Sequence, residues 1–368
     1  MEAKAQSMND RGRKASTKRL LHVLVAGLVG LAGRAHGAQP PEELPFAVDT
    51  VTLHKGRKVK KERRPVEHPR RKMTRENWEI RASTEGGRAG SACLYTRGEK
   101  RYCRIGGLAG AFESSDGRHV LIYSAGPSIE HGEKKFIGVF EIESGKKIRE
   151  LTIEEGSSMA GVANSKANLF VIYYQKAGGG IVVQAFDLLG NLKWRRELVG
   201  KVAPALGTTG IALDGQGRRV LLAASGLVVI SASGDIIKEM ALDVGFIELN
   251  PAKDEAVLWS RRGYQVYSIA DDKIRLSQKC ASGKRAWCLV QGFSPDGKLL
   301  SVIGMEENFP TERKHRLVKV EVVDLKKRKV HRDVLNEEMG NNVRAEFGDD
   351  GSLSVKSTEK TISYEAIP

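Results

Sequence analysis

Val183-Gln184-Ala185-Phe186-Asp187-Leu188-Leu189-Gly190-Asn191-Leu192-Lys193-Trp194 is the stretch on which the fold turns. An apolar strand ends in a short polar turn at Gly190, and a second strand leaves through Leu192 and Trp194. The same form recurs upstream at Val139–Ile148 and Cys93–Cys103. Downstream it returns at Val228–Ile237, Val266–Ile274 and, more loosely, Val320–Val330. The turns fall near positions 98, 145, 190, 234, 272 and 327, a step of about 45 residues, and self-similarity at such a period marks a repeat architecture.

A second series interleaves with the first. Phe112–Tyr123, Leu213–Val220, Phe293–Leu300 and Phe347–Leu353 each place a polar turn between two apolar runs, and Asn164–Phe170 and Asn250–Val257 are weaker copies. Turns rich in Asp, Asn and Gly fit here because tight hairpins need positive φ. Two hairpin series per period give about four short strands per unit, which matches a propeller blade. The expectation is an all-β chain: a β-propeller of four-stranded antiparallel blades. A β-sandwich or a solenoid with similar turn spacing is the alternative.

Five units read as complete, at 108–151, 157–198, 207–240, 244–276 and 287–335. Residues 77–105 supply three strands (Trp78–Ala82, Ala92–Thr96, Arg101–Ile105), and 343–366 supply three more. The arithmetic gives seven blades, or six if the two ragged ends share one. A strand from the N-terminal region would close the ring against the C-terminal blade and leave no free edge. Ala47–Leu53 alternates well enough to be that strand.

Residues 1–38 read as a signal peptide. Lys4, Arg11, Arg13, Lys14, Lys18 and Arg19 form a basic head, Leu20–Gly33 an apolar run, and Ala35, Gly37 and Ala38 a cleavage site. The run is too short to span a bilayer, and no cysteine near the cleavage site offers a lipid anchor. The expected location is therefore secreted or periplasmic, with no transmembrane segment after removal of the signal. Residues 39–76 read as a linker that holds the candidate strand at 47–53 and a basic run at 55–72. That run sets Lys55, Arg57, Lys58, Lys60, Lys61, Arg63, Arg64, Arg70, Arg71 and Lys72 against Glu62 and Glu67 alone. With the signal segment it accounts for most of the formal net charge of +15. Residues 77–368 are left as the propeller.

Two readings of the basic run stand side by side: a solvated, self-repelling linker, or attraction to an anionic surface. The contacts in the second case would be Lys58, Lys60, Lys61, Arg63, Arg64, Arg70, Arg71 and Lys72. No aromatic residue lies between Lys55 and Lys72, so there is no base-stacking platform and no nucleic-acid partner is expected.

The chain has four cysteines, at 93, 103, 280 and 288, and an exported chain permits disulfides. Cys93 and Cys103 lie either side of Gly98, so a hairpin turning there sets them opposite each other at the separation a disulfide needs. Cys280 and Cys288 bracket a connector. The pairs expected are Cys93–Cys103 and Cys280–Cys288. No CxxC spacing supports a metal site instead.

The histidines, at 22, 36, 54, 68, 119, 131, 315 and 331, include no pair within five residues. A nucleophile elbow, a zincin helix, a P-loop and a dinucleotide fingerprint are all missing. Asp349-Asp350-Gly351 and Asp214-Gly215 offer calcium oxygens, yet each reads more simply as a turn. Acidic residues elsewhere mostly alternate with apolar ones, as on the wet side of strands.

Ala185, Asp187, Gly190 and Trp194 resemble the repeat of the pyrroloquinoline-quinone-type (quinoprotein-like) propellers, which runs Ala-x-Asp, two or three residues, Gly, three residues, Trp. The resemblance covers about 12 residues and implies that Trp194 docks between adjacent blades. In the neighbouring units the positions matching Trp194 are Arg149 and Lys238. The turn Ser294-Pro295-Asp296-Gly297-Lys298-Leu299-Leu300 is similar to those of WD40-type bacterial propellers. Quinone-dependent members carry adjacent cysteines near the cofactor and a calcium-binding carboxylate cluster. This chain has no adjacent cysteines, so the resemblance speaks for the fold and against the oxidoreductase activity.

The functional expectation is a monomeric, non-catalytic scaffold, with no cofactor, catalytic or metal residues, that binds a protein or a glycan through loops on one face. Connectors Met305–Arg316 and Gly126–Lys134 are the loops to examine, since function gathers on loops held by rigid scaffolds. One alternative is a propeller enzyme, quinoprotein-like or a metal-dependent hydrolase or lyase, with its site at the central channel. A second is a protein held to an anionic surface by the basic run.

Overall fold

The computed structural model describes residues 49–53, 58–61, 73–74, 77–83, 91–105, 110–114, 116–123, 135–153, 159–176, 179–202, 210–250, 254–279, 286–307, 315–340 and 343–366. Every regular element among them is a strand. In chain order, β1 (Asp49–Thr52) and β2 (Lys58–Lys61) come first. Sheet I is β3 (Met73–Thr74), β4 (Trp78–Ser83), β5 (Ser91–Thr96) and β6 (Glu99–Ile105). Sheet II is β7 (Gly110–Glu113), β8 (His119–Tyr123), β9 (Lys135–Glu141) and β10 (Lys147–Ile153). Sheet III is β11 (Met159–Asn164), β12 (Leu169–Gln175), β13 (Ile181–Phe186) and β14 (Leu192–Leu198).

Sheet IV is β15 (Ile211–Leu213), β16 (Arg219–Ala223), β17 (Leu227–Ser231) and β18 (Ile236–Met240). Sheet V is β19 (Phe246–Leu249), β20 (Glu255–Trp259), β21 (Gly263–Ser268) and β22 (Lys273–Lys279). Sheet VI is β23 (Ala286–Phe293), β24 (Leu299–Glu307), β25 (His315–Asp324) and β26 (Lys329–Met339). Sheet VII is β27 (Arg344–Phe347), β28 (Leu353–Lys356) and β29 (Lys360–Tyr364), with β2 as its fourth strand. Sheets I to V are antiparallel meanders, as are β23–β26 of sheet VI and β27–β29 of sheet VII, and the five complete units read from the sequence correspond to sheets II to VI.

Successive side chains on a strand point to opposite faces, and here both faces are covered. On β12, Phe170, Ile172 and Tyr174 pack with Leu121, Tyr123 and Val139 of sheet II. The alternate residues Leu169, Val171 and Tyr173 pack with Val220, Leu222 and Val228 of sheet IV. This two-sided burial explains why Leu169–Tyr174 is apolar throughout rather than alternating. Four further clusters repeat the arrangement, so six apolar layers join the seven sheets in sequence among the described residues. First strands of successive sheets lie together, β11 by β15, β15 by β19 and β23 by β27. The fourth strands β14 and β18 stay wet, as the exposed patterns of Leu192–Glu197 and Ile236–Met240 show.

Both turn series appear where the spacing placed them. The left-handed residues of the first series are Gly98, Gly145, Gly190, Gly234, Asp272 and Arg328, with φ from 54 to 90°. Those of the second include Gly117, Asn168, Gly217, Gly297 and Gly351.

The N-terminal expectation needs correction. Residues 47–53 do not complete the last sheet: β1 runs parallel to β26, with Asp49 opposite Lys329 and Thr52 opposite Arg332, as a fifth strand of sheet VI. The strand beside β29 is β2, with Lys58 opposite Ser363 and Lys61 opposite Lys360. Part of the basic run, assigned above to a linker, therefore belongs to a sheet, and the folded region begins before residue 77. Lysine on an edge strand is a usual device, because a charged edge resists pairing with another chain.

Candidate functional site

The seams between sheets carry the repeated chemistry. In sheets I to V the hairpin of third and fourth strands has a one-residue bulge just after the turn. The residue after each bulge is Tyr102, Arg149, Trp194, Lys238 or Leu276. A bulge bends and twists its strand locally, and here the residue beyond it meets the turn region of the next sheet. The Tyr102 ring lies 5.0 Å from that of Phe140. Arg149 donates to the Gly190 carbonyl at 3.1 Å, and Trp194 Nε1 donates to the Ala232 carbonyl at 2.8 Å. Lys238 donates to the Asp272 carbonyl at 2.7 Å and pairs with its carboxylate at 3.2 Å.

The fifth seam differs. Leu276 has no donor to give to the turn it faces, Asp324 to Lys329, where Arg328 is in the left-handed region. Between them opens a cavity of about 310 Å³, floored by Val266, Leu276 and Leu325 and edged by Arg275, Lys326 and Arg328. Two buried carboxylates, Glu255 and Asp324, also line it. Glu255 accepts from Arg275 at 3.2 Å and from Asn250 at 3.4 Å. Asp324 accepts from the amides of Lys326 and Lys327 at 3.0 and 2.8 Å.

A second cavity, also about 310 Å³, lies where β23 meets β27. Phe293, Pro295 and Phe347 give it an apolar floor, and Gln291, Ser301 and Glu346 add polar groups. Gln291 Oε1 accepts from the Ala345 amide at 2.9 Å and ties the two strands together. Beside it, Gly292 sits in the β23 bulge, where an added Cβ would stand 3.3 Å from Glu248 Oε1. Burial pushes the Glu248 carboxyl above its ordinary range.

A third cluster is charged and enclosed. Glu321 is fully buried and accepts from Lys319 Nζ at 3.0 Å, from Arg332 at 2.7 and 2.6 Å, and from the Tyr264 hydroxyl at 3.3 Å. Burial, with the Glu321 charge beside it, pushes the Tyr264 hydroxyl well above its usual range. Nearby, Asp333 accepts from the Tyr364 hydroxyl at 2.9 Å. Glu321 and Asp333 are buried exceptions to the reading of alternating acidic residues as the wet side of strands.

Ala185, Asp187, Gly190 and Trp194 come together in one hairpin, where the Asp187 carboxylate caps the turn by accepting from the Leu189 and Asn191 amides at 3.0 and 2.8 Å. Cys93 lies directly opposite Cys103 across β5 and β6. Cys93 and Cys288 are buried, and Cys280 lies outside the described residues. Lys58, Lys60 and Lys61 are on β2, whereas Arg63, Arg64, Arg70, Arg71 and Lys72 lie outside the described residues. So do residues 1–38, Gly126–Lys134 and most of Met305–Arg316. No group of three or more His, Cys, Asp or Glu side chains suited to a metal occurs among the described residues. No helix among them is long and apolar enough to cross a membrane.

No family model matches the chain. No curated protein matches it either. Among solved structures it is similar to Sqt1 of Chaetomium thermophilum bound to the N-terminus of the ribosomal protein L10, with a TM-score of 0.52 and 11% identity, over 80% of this chain and 82% of that one. It also aligns with the C-terminal WD40 domain of Sif2, with a TM-score of 0.49 and 12% identity, over 79% and 78% of the two chains. The fold is that of a β-propeller.

Proposed function

We propose that this chain is an exported, non-catalytic propeller scaffold that captures a segment of a partner protein where β23 meets β27. The cavity floored by Phe293, Pro295 and Phe347 carries the reading, because apolar depth beside a few polar groups suits an anchoring side chain. The similarity to Sqt1, solved with a protein N-terminus bound, supports a protein rather than a glycan as ligand. The test is chemical cross-linking in the native extract with the full chain and with Phe347→Asp. One partner recovered reproducibly by the parent and lost by the variant supports the site, and equal recovery by both rejects it.

We further infer that the seven sheets are blades of one closed ring, with β2 completing the last blade and the chain then passing to sheet I. Cross-links between sheet VII and sheet I would support closure, and solution scattering of an open arc would refute it. The cysteines are assigned to the pairs Cys93–Cys103 and Cys280–Cys288. The opposed register of the first pair supports that assignment, and the absence of a free thiol among the described cysteines agrees with both. Export through a signal at 1–38 rests on the sequence pattern. N-terminal sequencing of the mature protein tests it.

A further inference from the structure

Glu248 is a carboxylate without a counter-charge next to the cavity between β23 and β27. It lies half-buried on β19 and takes no hydrogen bond or ion pair from any described residue. Its carboxylate reaches Gly292, which itself lines the cavity: a Cβ at that glycine would stand 3.3 Å from Glu248 Oε1. Glycine at this place therefore sets no side chain between the carboxylate and β23.

The other charges around the cavity are paired with one another. Glu346 accepts from Lys356 at 2.7 Å and pairs with Arg344 at 3.2 Å. In the adjoining turn Asp296 pairs with Lys298 at 2.7 Å. These five groups carry one net positive charge, but their three cations are exposed and screened by solvent. None of them acts on the Glu248 carboxyl, whose upward shift comes from burial alone. A shielded carboxylate of this kind favours an opposite charge brought within about 4–6 Å. Phe293, Pro295 and Phe347 offer an apolar surface for the stem of a cationic side chain. Arginine suits the place better than lysine, because its guanidinium is more weakly hydrated and pairs with a carboxylate through two donors.

We propose that the partner segment seated between β23 and β27 anchors through an arginine, with its stem on the apolar floor and its guanidinium on Glu248. This rests on the docking reading given above and adds the chemistry of the anchor.

The experiment titrates N-acetyl-arginine methylamide into the full chain and follows saturation-transfer NMR. N-acetyl-citrulline methylamide, similar in shape but uncharged, is the control. The arginine compound should bind at least about fivefold tighter than the citrulline one. Glu248→Gln should erase that preference while keeping or raising the thermal midpoint at pH 7, so that lost binding is not lost folding. No binding of the arginine compound, or equal binding of the two, overturns the proposal. So does a preference that survives Glu248→Gln. In the cross-linking experiment on the native extract, a partner lost with Phe347→Asp but kept in full with Glu248→Gln would uphold the docking site and reject the arginine anchor.

Discussion

The indole of Trp194 lies on Gly234 of the neighbouring sheet, so close that a Cβ at Gly234 would stand 2.8 Å from the ring. The glycine is required twice over, by this contact and by its φ of 90°. Trp194→Ala removes the ring from the third seam along with its hydrogen bond, and should cost about 2 kcal/mol, below the value for a fully buried Trp because the ring is partly exposed. Gly234→Val should cost at least as much. Urea unfolding at equal m-value is the check.

Arg149 and Lys238 should behave as weaker equivalents of Trp194. Each donates one charge-assisted hydrogen bond to a turn carbonyl of the next sheet, so truncation of either to Ala should cost about 1–2 kcal/mol. The two sites are separated by a whole sheet, and the double variant should therefore be additive. Strong non-additivity would mean that the seams are not independent.

Glu321 is expected to be the most sensitive polar position. Glu321→Ala leaves Lys319 and Arg332 facing each other in an enclosed site, a loss of about 3–5 kcal/mol. Replacing the cluster together, as Lys319→Met, Glu321→Leu and Arg332→Met, should recover most of that loss. If the triple variant is as unstable as the single one, packing rather than charge governs the site.

Glu248 gives a pH dependence with a definite sign. Its folded carboxyl holds a proton to higher pH than the ordinary value of 4.5 because burial disfavours the charge. The folded state thus binds more protons than the unfolded one above that value, and this contribution to stability falls as pH rises through the window. Glu248→Gln should raise the thermal midpoint at pH 7, with the gain shrinking as pH falls through 4.5. A gain independent of pH would refute this account.

Cys93→Ser should lower stability by about 2–3 kcal/mol if the short loop to Cys103 is closed by a disulfide. Peptide mapping of the unreduced protein identifies the pair directly, and a free Cys93 thiol would rule out the assignment.

The turn positions were legible because positive φ demands particular residues, and Gly98, Gly145, Gly190 and Gly234 announce themselves. Arg328 was placed one residue early, since no glycine marks it. Trp194 was legible as a motif, while Arg149 and Lys238 looked like departures from it. They differ in chemistry yet share a reach and a donor, and the seam uses both properties. Glu321 and Asp333 were hidden by alternation, because a period of two does not reveal whether the second face is solvent or another sheet. β2 was hidden by its charge, which reads as repulsion in isolation and as an ordinary edge once β29 lies beside it.

The pairing of β2 with β29 has a kinetic side. These strands are separated by about 300 residues, and the entropy of joining chain ends so far apart must be met before the contact returns anything. During synthesis β2 emerges about 300 residues ahead of its partner and waits for it. Until then β2 is a strand without its neighbour, and the nascent chain is open to mispairing along that edge.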